Sequence, residues 1–160
     1  NINHSIYISF LYFSLIGGIM TRINIVPVNE LMDQHLIAEY REITMVPGSL
    51  NRTLASKKGV DRAKIADTFT LNTGHVYFFY DKGKYLHDRY NLIIDEMKNR
   101  GFKPDKNRDF PVKVFQDNNL YNDWVPTAHA YMLIRKRIQE KIDLKPNWYR
   151  KTTSKGVTTS

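Results

Sequence analysis

The segment KYLHDRYNLIIDEMKNR, residues 84–100, has the clearest periodic pattern in the chain. Apolar side chains recur in it at helical spacing and share one face: Leu86, Tyr90, Ile93, Ile94 and Met97. Gly101 follows at the position where a left-handed glycine ends many helices. The pattern therefore predicts an amphipathic helix that buries this face in a core.

A second helical pattern covers residues 29–43. Leu36, Tyr40 and Ile43 are spaced i, i+4 and i+7, which places them on one face. Proline removes a backbone hydrogen bond, so we expect Pro47 and the glycine after it to kink or end this helix. Residues 50–55 are expected to continue it beyond the break.

The third predicted helix covers residues 127–143 and ends before Pro146. Its apolar face carries Tyr131, Ile134, Ile138 and Ile142. The apolar run VYFFY, residues 76–80, has strand-like composition, but no partner strand is evident, so we interpret it as an irregular buried connector. The predicted fold is all-α: a single compact domain of three main helices with long irregular connections.

The composition of the 160 residues excludes several classes of protein. Hydrophobic residues make up 42%, enough for a core rather than a disordered chain. The absence of cysteine excludes disulfide scaffolds, thiol catalysis and thiolate zinc sites. The formal net charge of +8 is typical of proteins that meet nucleic acid, anionic membranes or acidic partners. A basic domain without such a partner is the alternative.

Residues 1–19, NINHSIYISFLYFSLIGGI, differ from the rest because they contain no Lys, Arg, Asp or Glu. Their apolar run is shorter than the ~20 residues of a membrane span, and they lack the basic start and cleavage site of a signal peptide. The first methionine is Met20. We predict that residues 1–19 are a translated upstream extension, residues 20–151 the domain and residues 152–160 a flexible tail. A weak membrane anchor is the alternative for the extension.

Polar side chains concentrate in the first predicted helix and just before it. Spacing of three and four places His35, Glu39 and Glu42 on neighbouring turns of one side. Two potential ligands without a third are weak evidence for a metal, so we predict no metal site. The residues of interest here are Arg22, Gln34, His35, Arg41 and Glu42. A solvated charged face is the alternative.

The third predicted helix is strongly basic. Arg137 and Lys141 form an i, i+4 pair of like charge, which is destabilising unless an anion lies between them. Trp148 and Tyr149 follow this helix. Basic residues beside aromatic ones suit a surface that follows a nucleic-acid backbone and stacks on bases. In the alternative, the two aromatic rings pack the C-terminus onto the core and the basic residues stay in water.

Five ordered segments carry a resemblance to a known family: MTRIN (20–24), DQHLIAEYRE (33–42), GHVYFFYDK (74–82), RGF (100–102) and EKIDLKPNWY (140–149). Over about residues 20–150 the chain resembles the phage-type endonuclease V family of pyrimidine-dimer DNA glycosylases. The resemblance implies a compact all-α monomer that acts on double-stranded DNA containing pyrimidine dimers or abasic sites, without a cofactor or a membrane. It also implies a cytoplasmic location in a bacterial or phage-infected cell.

The same resemblance implies a glycosylase with abasic-site lyase activity. The nucleophile of the family is the α-amino group of the residue matching Thr21, exposed when Met20 is removed, and the catalytic carboxylate matches Glu42. An imine forms at the sugar and β-elimination follows. The positions matching DNA-binding residues of the family are Arg22, Gln34, His35, Arg41, Arg137, Lys141 and Trp148. A non-catalytic basic DNA-binding protein of the same fold is the alternative.

An α-amine suits this chemistry because the nucleophile must be unprotonated. With a pKa of ~7.7–8.0, roughly a tenth to a fifth of it is neutral at pH 7, against only about 0.04% of an ordinary lysine. We expect Arg22 and Arg41 to lower the pKa of the amine further, and we expect no nearby lysine to match it. Two departures from the family pattern are Met45, where the family has an Arg that contacts DNA, and Arg150, where a longer aromatic run follows in the best-known member.

Overall fold

The computed structural model describes residues 22–154 and 158–159. Its α-helices are α1 (Asp33–Glu42), α2 (Met45–Ala55), α3 (His75–Phe78), α4 (Gly83–Asn99), α5 (Lys113–Gln116) and α6 (Ala128–Leu144). Short 3-10 turns occupy Val28–Glu30 and Arg62–Lys64, and the two-residue strands β1 (Lys151–Thr152) and β2 (Thr158–Thr159) pair antiparallel. The all-α prediction is confirmed. The expected three main helices become four in the described residues, because α2, with 11 residues, is as long as α1, with 10, beside α4 and α6 with 17 each. No helix within the described residues is long and apolar enough to span a bilayer.

Helix α4 lies in the core, as its pattern predicts. Leu86, Tyr90, Ile93 and Met97 are buried, and α4 packs against α1. Gly101 has φ 84°, which confirms it as the left-handed residue after the helix. At the other end, a Cβ on Gly83 would collide with the ring of Phe115, so only glycine allows α4 to begin this close to α5.

The prediction of one helix over residues 29–43 is wrong at its start, because α1 begins at Asp33. The cause is Arg100, a buried side chain that donates to the carbonyl oxygens of Leu31 at 2.7 Å and Val28 at 3.2 Å and to the carboxylate of Asp33 at 2.9 Å. These carbonyls are therefore satisfied without a continuous helix.

The expectation that Pro47 ends the first helix is also wrong. Helix α1 ends at Glu42, and Pro47 lies in the first turn of α2 together with the glycine after it. Proline is tolerated there because the first backbone N–H groups of a helix have no helical acceptor. Residues 50–55 are thus the second half of α2 rather than an extension of α1.

The apolar run at residues 76–80 forms α3 and a turn. Gly74 precedes α3 with φ 86°, and Phe78, Phe79 and Tyr80 are buried. The predicted burial is confirmed, whereas the predicted irregular conformation is replaced by one helical turn. Phe78 and Phe79 make edge-to-face contacts with Phe69 and with each other. Phe79 also stacks on Tyr85 of α4, which fixes α3 against the start of that helix.

The C-terminal segment returns to the start of α1. The Thr152 hydroxyl donates to Asp33 at 2.7 Å, and the Thr152 N–H contacts both oxygens of the same carboxylate at 3.0 and 3.2 Å. Thr152, the first residue of the predicted flexible tail, is therefore bonded to the body of the protein. The boundaries of the domain and of the tail stay predictions.

Candidate active site

Residues 22–24 form an N-terminal segment whose three successive backbone N–H groups all donate to side chains. Arg22 donates to Glu42 Oε2 at 3.2 Å, and Ile23 donates to His75 Nε2 at 2.9 Å. Asn24 donates to Glu39 Oε1. The acceptors come from α1 and α3, so two separate elements fix the path of this segment.

The acceptor for Asn24 is itself held by a buried ion pair. Glu39 is fully buried and pairs with Arg89 through two contacts of 3.0 and 2.9 Å. Arg89 also donates to the Val26 carbonyl at 2.8 Å. Glu39 is thus a core residue, and the alternative of a solvated charged face is wrong for this side chain. Removal of either partner would leave an uncompensated buried charge.

The acceptor for Ile23 is a neutral histidine. His75 Nδ1 lies 2.8 Å from the Thr70 carbonyl oxygen, which can only accept, so Nδ1 carries the proton and Nε2 is free to accept from Ile23. Burial lowers the pKa of His75 to about 4. The ring therefore keeps this tautomer at neutral pH.

Glu42 lies in an environment that brings its titration close to neutrality. Burial raises the pKa of its carboxyl to about 7, against the opposing effects of the Arg22 N–H and of the positive charges of Arg22 and Lys141. A carboxyl with a pKa near the working pH can both donate and accept a proton. Glu42 is therefore suited to acid–base work as well as to stabilising positive charge.

Three cations, Arg22, Arg137 and Lys141, form a basic cluster around this carboxyl. Burial is the main cause that lowers the pKa of Lys141 to about 8, and the charges of Arg22 and Arg137 lower it further. Burial and the charge of Arg137 lower the pKa of Arg22 as well. The expectation that no nearby lysine matches an α-amine is thus wrong for Lys141. Like charges gathered in this way favour a bound anion such as phosphate.

The segment after α6 is docked on the same face of α1. The Gln34 side-chain amide donates to the Trp148 carbonyl oxygen at 2.6 Å and accepts from the Arg150 N–H at 3.1 Å. The ring of His35 stacks on Tyr149 with centroids 4.6 Å apart. Tyr149 is buried, so the packing interpretation is right for this residue.

His35 is neutral in this packing. Burial, together with the charges of Lys141 and Arg22, lowers its pKa to about 4. Both of its ring nitrogens are buried without a hydrogen-bond partner among the described residues. A buried polar group of this kind gains a partner when a polar ligand enters the site.

A family profile described as pyrimidine dimer DNA glycosylase matches residues 20–110, more than half of the chain. The chain belongs to this family. The resemblance drawn from the sequence is confirmed over that range, which contains the whole of α1 to α4. Helix α6, with its basic residues, lies beyond the matched residues.

In this member of the glycosylase family, the structure brings five of the residues selected from the sequence into one cluster: Arg22, His35, Glu42, Arg137 and Lys141. Gln34 is engaged with backbone groups beside Trp148, which is half-buried with Lys145 Nζ 5.5 Å from its ring. Arg41 is half-buried and accepts from Arg108 through its carbonyl.

Two other residues from the sequence analysis remain, Thr21 and Met45. Thr21 lies outside the described residues. Met45, which replaces a family Arg, is 40% exposed.

Among the described residues no group of three His, Asp or Glu side chains is arranged to hold a metal ion.

Sequence analysis missed the two residues that complete the anchoring of the N-terminal segment. Arg89 is a cation three residues after Leu86 on the buried face of α4, and a charge on such a face needs a buried partner. The sequence alone therefore indicated that Arg89 has a buried partner. His75 gave no comparable signal, because its acceptor role depends on the fold.

Proposed function

We propose that this glycosylase releases damaged bases at cyclobutane pyrimidine dimers and then cuts the strand as an abasic-site lyase. In this proposal the nucleophile is the α-amino group of Thr21 after removal of Met20, within a catalytic domain of residues 20–151. The observation that carries the proposal is the contact between the Arg22 N–H and Glu42, which fixes the segment that directly follows residue 21 beside a carboxylate.

Covalent geometry supports the reach of this amine. The α-nitrogen of any residue is three bonds from the backbone nitrogen of the next residue, a separation of at most about 4 Å. The Arg22 nitrogen is 3.2 Å from Glu42 Oε2. A processed chain therefore carries its terminal amine no farther than about 7 Å from Glu42 Oε2, and some conformations of residue 21 bring the two into contact.

The arrangement suits each chemical step. The neutral amine attacks C1′ of the damaged nucleotide and the base leaves, while the Glu42 carboxylate stabilises the positive charge that develops on the sugar. Ring opening gives a protonated imine, which acidifies the C2′ proton. Loss of that proton expels the 3′ phosphate and cuts the strand, and water then releases the enzyme.

The surroundings of Glu42 support DNA as the ligand. The basic cluster of Arg22, Arg137 and Lys141 supplies phosphate contacts, and His35 and Arg41 lie on the same helix as the carboxyl. Gln34 contributes indirectly, since its amide holds the backbone beside Trp148. The reacting sugar lies within a duplex, so the DNA must be kinked and a nucleotide extruded.

Borohydride trapping tests the proposal against a non-catalytic DNA-binding protein. The processed chain that begins at Thr21 is incubated with dimer-containing and abasic duplexes, and the reduced adduct is mapped by mass spectrometry. We expect an adduct at Thr21 and strand cutting at the dimer. Binding without an adduct would favour the non-catalytic alternative.

Glu42→Gln separates chemistry from binding in the same assay. We expect base release to fall by at least 100-fold while affinity for damaged duplex changes little, because the amide keeps the size of the side chain. Asp95→Asn, an exposed acid on α4, is the matched control. Cutting at the parent rate by Glu42→Gln would show that the carboxylate is not catalytic.

A further inference from the structure

Lys141 lies in the last turn of α6, and the residues that follow this helix contact α1. Gln34 binds the backbone at Trp148 and Arg150, and Tyr149 stacks on His35. These contacts hold the end of α6 over the face of α1 that carries Glu42. Lys141 and Glu42 interact electrostatically as a result.

The environment of Lys141 lowers the pKa of its side-chain amine to a value typical of an N-terminal amine. The side chain is half-buried, and with a pKa of about 8 roughly a tenth of it is neutral at pH 7, compared with about 0.04% of an ordinary lysine. Lys136 on the same helix is exposed.

A neighbouring group points to where a DNA strand would lie. Arg137 Nε is buried without a hydrogen-bond partner among the described residues, one helical turn before Lys141. A phosphate oxygen in this position would satisfy that donor. Lys141 interacts electrostatically with Arg137, Arg22 and Glu42, so a phosphate held by Arg137 would belong to the same cluster as the Lys141 amine and the Glu42 carboxyl.

We propose that the ε-amino group of Lys141 is a second imine-forming amine, which cuts abasic DNA when the nitrogen of Thr21 is part of a peptide bond. In a chain that retains residues 1–20 that nitrogen is an amide and is not nucleophilic. The inference rests on the proposed function for the binding of abasic DNA at this site, and it concerns the lyase step alone.

The reaction balances with groups already in the site. Lys141 Nζ attacks the C1′ aldehyde carbon of the ring-opened abasic sugar, and a protonated Glu42 donates the proton with which the hydroxyl leaves as water. The resulting Glu42 carboxylate, or a water molecule, removes a C2′ proton from the protonated imine. The electron pair forms the C2′–C3′ double bond and the 3′ phosphate leaves. Hydrolysis of the imine restores the amine.

The test uses the full chain, with residues 1–20 verified intact by mass spectrometry, and a duplex with one abasic site. Borohydride is added and the adduct is mapped by peptide sequencing. We expect an adduct on Lys141. Lys141→Arg keeps the positive charge but cannot form an imine, so the trapped yield should fall at least tenfold, whereas Lys136→Arg should trap as the parent does. Circular dichroism and binding to undamaged duplex check that each variant is folded.

The chain that begins at Thr21 is tested in parallel, so that the two proposals fail separately. If it forms an adduct at Thr21 while the full chain forms none, the role of Lys141 is wrong and the proposed function stands. An adduct of the full chain on another lysine also overturns the role of Lys141. If neither chain forms an adduct, the lyase function fails, and the inference fails with it.

Discussion

Glu42→Gln should stabilise the fold at alkaline pH even though it removes the proposed catalytic carboxylate. Burial raises the pKa of Glu42 from 4.5 to about 7, so between these values the folded protein binds a proton more tightly than the unfolded chain does. The free energy of unfolding therefore falls as the pH rises through this window. Glutamine is neutral throughout and does not have this penalty.

The size of the effect follows from the same shift. A difference of about 2.5 pK units at ~1.4 kcal/mol each sets an upper limit of ~3.5 kcal/mol at pH 8. The Gln oxygen can still accept from the Arg22 N–H, but burying an amide also has a cost, so we expect a gain of about 1–3 kcal/mol. At pH 4 the parent carboxyl is protonated in the folded protein and mostly protonated in the unfolded chain, so the two proteins should be nearly equal in stability.

Urea unfolding at pH 4 and pH 8 measures this difference. Asp95→Asn serves as the control, because an exposed carboxylate should give a small difference at both values. A Glu42→Gln protein that is less stable than the parent at pH 8, or a difference that does not grow with pH, would refute the burial argument. The same result would weaken the claim that Glu42 titrates near neutrality.

Three further predictions concern binding and stability. Arg137→Ala should weaken binding to damaged and undamaged duplex alike and flatten the slope of log affinity against log salt by about 0.9; an unchanged slope in fluorescence anisotropy titrations would place this residue off the DNA. Arg89→Met should lower the free energy of unfolding by ~3–5 kcal/mol, because it leaves Glu39 buried and unpaired. The double variant Arg89→Met with Glu39→Gln should recover part of this loss in the same urea titrations. Gly83→Ala should destabilise the protein by ~1–3 kcal/mol, because its Cβ meets Phe115; a melting temperature equal to that of the parent would contradict the close approach.

The main helices could be predicted because their stabilising contacts follow a local period. The spacing of Leu86, Tyr90 and Ile93 defines the apolar face of α4, and their burial follows from that spacing. The start of α1 could not be predicted, since it depends on Arg100, more than sixty residues away in the sequence. The role of Pro47 was predicted wrongly because the lack of a backbone N–H suits proline both to the end of one helix and to the first turn of the next.

The candidate site was predictable to a different extent. Family resemblance selected Arg22, Glu42 and Lys141 as candidates without any structure. The protonation of Lys141 was not predictable, because it depends on burial and on charges that converge only when the end of α6 docks on α1. The role of His75 was hidden for a similar reason, since its partner Ile23 is 52 residues away.

The three anchored N–H groups of Arg22, Ile23 and Asn24 make the number of residues before them as important as their identity. In an enzyme that uses its terminal amine, one codon inserted after Thr21 would leave every anchor in place and move the amine about 3.5 Å along the chain. Loss of Thr21 from the processed chain would make Arg22 terminal and replace the amide at Glu42 with a charged amine. In such an enzyme either change would give a folded and inactive protein, because activity would depend on which residue begins the processed chain.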